Sequence, residues 1–336
     1  MIMNRTQQTK MLRKILKCTK NNEFEKAIVL QRKLLKKVTH GTNLLCRFRP
    51  NNDNTLKEIT TGLMYCSPPK DFNDSFDSNF GCGIKEFSLA LLKGIKNGTI
   101  PFPDARKAQN MQITNMEVLS NVVHSAMETE PHVDNFDWCM DYLETYAKRF
   151  NNPVVMKDIQ IFKDIFKESM TKINQTVNEN FLLGCLTINC YNQLMWSYYT
   201  NQEKGICIVY DFSNDEYWRQ HSSLLPIIYA KKRPQVPWGE CLAHPKDVKP
   251  VFEKIVFGLL TKAKAWEHEQ EWRVIIPKEN GPFYKLPPIK CIYLGNKIES
   301  DYKQKILDIA RERNIPVYQM CLNSTTYTLV SREFKQ

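Results

Sequence analysis

From Trp272 to Ile276 apolar and polar positions alternate, so Trp272, Val274 and Ile276 face one way and Glu271, Arg273 and Ile275 the other. A chain with this pattern has to build a sheet around a strand with one buried face. Pro277 ends that strand, because proline cannot donate to a ladder. Just upstream, Glu269 and Glu271 stand two residues apart at the strand mouth. Carboxylates placed there suit a ligand: one grips a sugar hydroxyl or stabilises a developing cation while its neighbour orients a nucleophile. The competing expectation is a surface ion pair of Glu271 with Arg273, of roughly 0–1 kcal/mol.

The remaining pattern predicts an α+β chain with one mixed or mostly antiparallel sheet. Strands are expected at Leu44 to Arg49, Leu63 to Cys66, Leu182 to Asn189, Gly205 to Phe212, Leu225 to Ala230, Ile289 to Leu294, Ile315 to Cys321 and Thr326 to Ser331. Apolar spacing of three and four predicts helices over Lys85 to Ile95, Asp104 to Met127, Phe136 to Phe150 and Val155 to Glu179, a helical insertion of about 84–180 within a domain of 41–336. Further helices are expected over Val248 to Lys264 and Ser300 to Asn314. Asn192 to Thr200 is a helical segment dense in aromatics, with Met195 and Trp196 suited to a core and Ser197, Tyr198 and Tyr199 to a pocket mouth.

The net charge of +11 is unevenly placed. Residues 1–40 carry eleven Lys and Arg against Glu23 and Glu25, a net of +9, which leaves +2 for the rest. They read as a basic helical hairpin, Thr9 to Lys20 and Glu23 to Lys37, with Phe24, Ala27, Ile28, Leu30, Leu34 and Leu35 as an apolar stripe. Lys10, Arg13, Lys14, Lys17, Arg32, Lys33, Lys36 and Lys37 are the candidate contacts for nucleic-acid phosphates, an acidic protein partner or an anionic membrane surface. A solvated helical cap is the plainer alternative.

Several classes are disfavoured. Twelve glycines, with no GxGxxG, GxxxxGK[ST] or GxSxG, speak against a Rossmann dehydrogenase, a P-loop ATPase and an α/β-hydrolase. Eleven scattered cysteines without a CxxC pair read as reduced thiols. His268-Glu269 is followed by Trp272 where a zincin needs its second histidine. No apolar run approaches the roughly 20 residues of a membrane span, and the N-terminus lacks the apolar core of a secretory signal, so a cytoplasmic location is expected.

Five segments in order, Phe48-Arg49-Pro50, Phe72-Asn73-Asp74-Ser75-Phe76-Asp77, Met195-Trp196-Ser197-Tyr198-Tyr199, Gly205 to Asp211 and Glu269-Gln270-Glu271-Trp272-Arg273, resemble a widespread bacterial family known as a domain of unknown function. Ser75 replaces its usual proline and Tyr198 its usual histidine. The order Arg49, Ser197, Glu271 is also similar to the Arg–Ser–Glu order of ADP-ribosyltransferases. That likeness implies NAD as cofactor, with Arg49, or Arg47 on the same strand face, binding the pyrophosphate. It further implies that Ser197 braces the pocket, that Tyr198 or Tyr199 stacks on nicotinamide, that Glu271 holds the ribose and that Glu269 positions the nucleophile. An intracellular effector of phage conflict or of a toxin–antitoxin pair is the role these resemblances imply. No resident metal is expected. The rival expectations are a metal-dependent nuclease built on Asp71, Asp74, Asp77, Glu269 and Glu271, and a non-catalytic binding module.

Overall fold

The computed structural model describes residues 5–81, 87, 141, 144–145, 148–149, 153–220, 223–235 and 249–334. The chain divides into two compact units, one of Met1–Asp77, Asn178–Lys232 and Leu260–Gln336, the other of Ser78–Val177 and Arg233–Leu259. Among the described residues no helix is long and apolar enough to cross a membrane.

In the first unit, helices α1 (Arg5–Lys20) and α2 (Phe24–Val38) form the expected hairpin. Leu12, Ile15 and Leu16 of α1 and Ala27, Ile28, Leu34 and Leu35 of α2 recur at helical spacing and are buried, whereas Phe24 is exposed. Strand β1 (Leu44–Arg49) follows. Helix α3 (Asp53–Thr61) was not foreseen: Asn52 Oδ1 accepts from Thr55 N at 3.0 Å to cap its start, and Gly62, at φ +68°, ends it in the left-handed conformation.

The other elements of this unit are strands β2 (Leu63–Tyr65) and β3 (Phe181–Thr187), helix α5 (Gln193–Tyr199), β4 (Ile206–Asp211), α6 (Asp215–Gln220), β5 (Leu224–Pro226) and β6 (Ile228–Ala230). After them come β7 (Thr261–Ala263), β8 (Glu271–Pro277), β9 (Phe283–Lys285), β10 (Ile289–Leu294), α8 (Ser300–Glu312), β11 (Val317–Leu322) and β12 (Leu329–Glu333). Two expectations are corrected. The single strand expected at Leu225 to Ala230 is two, β5 and β6, in different sheets. The helix expected to run to Lys264 stops at Leu259, and Thr261-Lys262-Ala263 instead pairs parallel with β6.

The main sheet has the order β12-β11-β10-β4-β1-β3-β8-β5. All its pairs are antiparallel except β10 with β11, which gives the mixed α+β architecture expected. On one face Cys46 and Phe48 of β1, Cys207 and Val209 of β4, Cys291 and Met320 pack against Met195 and Trp196 of α5. Phe48 meets Trp196 edge to face at 5.2 Å, and the indole N–H donates to Cys190 O at 2.9 Å. The sheet is split near its middle: β1 pairs with β4 along all six of its residues but with β3 only at Cys46↔Thr187. Beyond that point the two strands part.

In the second unit, α4 (Pro153–Asn180) runs through to Val177 and α7 spans Lys249–Leu259. Phe87 packs edge to face on Phe162 and Phe166, at 5.5 and 5.0 Å. The helices expected over 85–95, 104–127 and 136–150 fall almost wholly outside the described residues.

Candidate functional site

Where β1 and β3 separate, a cleft of about 410 Å³ opens, within the range of roughly 300–1,000 Å³ that holds small molecules. Residues of both strands line it, together with Tyr65, Asp71, Phe72 and Asn73, Tyr198 and Tyr199 of α5, and Lys262, Glu269 and Glu271. The parting leaves Cys185 O without a ladder partner, and Arg47 Nη1 donates to it at 2.9 Å.

One end of the cleft is built on arginine. Arg47 Nε and Arg49 Nε stand 3.1 and 3.0 Å from Glu58 Oε1 and Oε2, ion-pair contacts whose angles fall short of hydrogen bonds. Tyr210 donates to the same carboxylate at 2.9 Å. Arg47 spends its terminal nitrogens on Cys185 O, Met64 Sδ and Tyr65 O. Those of Arg49 make no hydrogen bond among the described residues, though its side chain is only 17% exposed. Burial, and after it the Arg47 charge, push the Arg49 guanidinium below its ordinary pKa despite Glu58. Two arginines on one carboxylate leave a positive surplus, and Arg49 is the one able to donate to a ligand.

The other end is built around β8. Both of its faces are buried almost to the end, so the half-buried strand and the surface ion pair expected from the alternation are corrected: Arg273 is 0% and Glu271 5% exposed. The face read as solvated is covered by a charge network. Arg273 donates to both Asp77 oxygens at 2.9 Å and through Nε to Glu271 Oε1 at 2.8 Å, under the Phe72 ring. Lys262 donates to Glu269 at 2.6 Å and Glu271 at 3.2 Å, lies 3.6 Å from Asp77 and sits 5.0 Å from the Trp266 ring centre. Gln270, at φ +46°, supplies the kink that turns two carboxylates two residues apart toward one ammonium. Tyr199 O–H donates to Glu269 at 2.6 Å, and Thr187 Oγ1 to Glu269 O at 2.6 Å.

Burial alone would depress the Lys262 pKa, but Glu271, Glu269 and Asp77 outweigh it and hold the ammonium above its ordinary value. Lys262 is therefore a fixed cation and no nucleophile. Because the folded pKa is the raised one, the stability this group contributes is complete below the unfolded value, about 10.5, and declines as pH rises past it. Measured by denaturant midpoints, the stability gap between the wild type and Lys262→Met should narrow by about 1.4 kcal/mol per pH unit above that value. A gap that stays constant to pH 11.5 would contradict this placement. Cys185, also in the lining, has its thiol pushed well up by burial and then by Glu271, so it offers no thiolate. The described cysteines are free.

The structure thus brings Arg47, Arg49, Tyr198, Tyr199, Glu269 and Glu271 to one cleft. Ser197 is not among them: it is exposed on α5, and the aliphatic hydroxyls in the lining are those of Ser67 and Thr187. Lys262, Glu58, Thr187 and the ion-pairing role of Asp77 were not foreseen. The Asn52 cap and Gly62 stop were readable signals for the helix carrying Glu58. Nothing local marked Lys262. Of the carboxylates proposed for a nuclease, Asp77, Glu269 and Glu271 already hold Lys262 and Arg273, and Asp74 Oδ1 closes a turn on Phe76 N at 2.9 Å. Among the described residues no group of three His, Cys, Asp or Glu is arranged to hold a metal ion.

The basic candidates of the hairpin lie apart from these lining residues. Lys10, Arg13, Lys14, Lys17, Lys33, Lys36 and Lys37 are exposed, and Arg32 pairs with Asp215.

No curated protein and no solved structure matches the chain. A family model described as "Protein of unknown function (DUF2971)" matches residues 195–274, from Met195 on α5 to Val274 on β8. The match takes in Tyr198, Tyr199, Lys262, Glu269, Glu271 and Arg273 and leaves out Arg47, Arg49, Glu58 and Asp77, a shorter stretch than the motifs suggested. Over residues 195–274, which supply Lys262, Glu269, Glu271 and Arg273 of the acidic end but not Asp77, the chain is similar to a protein family of unknown function.

Proposed function

We propose that the cleft binds NAD and passes its ADP-ribosyl group to an acceptor, an ADP-ribosyltransferase-like activity. The observation that carries this reading is the separation of charge along the cleft. Arg47 and Arg49 outnumber Glu58 at one end, and Asp77, Glu269 and Glu271 outnumber Lys262 and Arg273 at the other. NAD has the complementary sense, an anionic pyrophosphate and a cationic nicotinamide ring, and it supplies the ADP-ribosyl group when bound.

The residues present fit such a group. Arg49 has unbonded terminal nitrogens to offer a phosphate oxygen, a charge-assisted contact. Tyr198, 55% exposed and edge-on to Trp266 at 6.4 Å, presents a ring face at the acidic end. Glu269 and Glu271 are held rigid by Lys262 and Arg273, a preorganised negative field where positive charge develops on the ribose.

The test follows nicotinamide release from NAD, with and without cell lysate as acceptor, beside Arg49→Gln and Tyr198→Ala. Tyr198→Ala should leave stability within about 0.5 kcal/mol and raise KM by up to roughly tenfold. Arg49→Gln should weaken NAD binding by roughly 10- to 150-fold, the worth of a charged hydrogen bond of about 1.5–3 kcal/mol. A folded protein that neither binds NAD by calorimetry nor releases nicotinamide would sink the reading.

A further inference from the structure

The first 22 residues contain six Lys and Arg and no Asp or Glu. In α1 the apolar positions Leu12, Ile15 and Leu16 are buried, while Lys10, Arg13, Lys14, Lys17 and Lys20 are exposed. Their spacing of three and four puts them along one face about 15 Å long at 1.5 Å per residue. Lys10, Lys14 and Lys20 form no ion pair among the described residues. In α2 a second exposed group, Lys33, Lys36 and Lys37, closes the helix. Neighbouring cations on one helix repel each other, so this face has charge to offer a polyanion.

We infer that the outer face of α1 docks the phosphate backbone of a nucleic acid without reading its sequence. Three partners carry negative charge, and the structure favours one. A membrane surface takes up an amphipathic helix through its apolar side, and that side of α1 is already buried. Protein interfaces are depleted in lysine and anchored by aromatic or aliphatic side chains, and the exposed face of α1 has neither. A phosphate backbone needs only cations at intervals. The absence of exposed aromatics on α1 also removes base stacking as a means of discrimination.

The test is independent of the cleft, since it uses no NAD. Anisotropy of a labelled 20-base-pair DNA duplex of mixed sequence is followed between 50 and 200 mM salt. With four or five phosphates neutralised, log K should fall against log salt with a slope of about −4, and a scrambled duplex should bind equally. Lys10→Gln/Lys14→Gln/Lys17→Gln should reduce the slope by about 2.7 with an unchanged melting temperature, whereas Arg49→Gln should leave duplex binding unaltered. No binding at 50 mM salt, or a triple variant that binds like the wild type, overturns the assignment. Displacement of the duplex by poly-glutamate at equal charge concentration overturns it in favour of an acidic protein partner.

Discussion

Replacing Arg273 with methionine should be the most damaging single substitution in the described core, lowering stability by about 3–5 kcal/mol. Arg273 has no exposed surface and is the bidentate partner of Asp77 and the closer cation to Glu271. Without it three buried carboxylates face the Lys262 ammonium alone. Methionine matches the aliphatic stem, so the loss measures uncompensated charge rather than a cavity. Arg273→Lys keeps the charge but cannot fork between two carboxylates, and its midpoint in denaturant should lie between those of the wild type and the methionine variant. Equal midpoints for all three proteins would mean that the network contributes nothing to folding, and the rigid acidic end of the cleft would lose its basis.

Gly205→Ala should cost about 1–3 kcal/mol through backbone alone. A Cβ on Gly205 would stand 2.1 Å from Arg49 O and 3.0 Å from Pro50 Cα, atoms that no rotamer change can move. Gly205 O in turn accepts from Gly295 N at 2.9 Å, where another Cβ would meet Glu203 O at 2.1 Å. Three strand ends are therefore in contact through main chain, and the neighbour displaced is the one carrying Arg49. For a unit of this size each kcal/mol lost lowers Tm by about 2–4 °C. The variant should melt lower and also bind anionic ligands more weakly, while a loss of stability with full binding would mean that Arg49 is held by Glu58 alone.

Periodicity carries part of this structure and not the rest. The alternation from Trp272 to Ile276 located β8 and its termination at Pro277, because a two-residue period is a property of the strand itself. It could not say what lies over the second face, and charged Glu271 and Arg273 were read as solvated when they are roofed by Asp77, 196 positions away from Arg273. Parity likewise put Arg47 and Arg49 on one face but left them equivalent. Only the parting of β1 from β3, which turns Arg47 inward to Cys185 O, separates a structural arginine from a ligand-facing one. β7 escaped because three residues are too few to show a period, and with it went Lys262. α3 had legible caps at Asn52 and Gly62, and its polar composition hid it.

The placement of β1 sets the order in which the molecule can be made. The strand is complete at Arg49, yet its neighbours end only at Thr187 and Asp211. At a synthesis rate of about 5–20 residues per second, the delay is roughly 7–30 s. During that interval a newly made apolar strand has both edges unpaired outside the ribosome, the condition in which strands join the wrong neighbours. Arg47 and Arg49 put two like charges on that strand, which disfavours its pairing with a second copy of itself. The residues that form the positive end of the cleft in the finished protein thus also bear on how its first strand meets its neighbours.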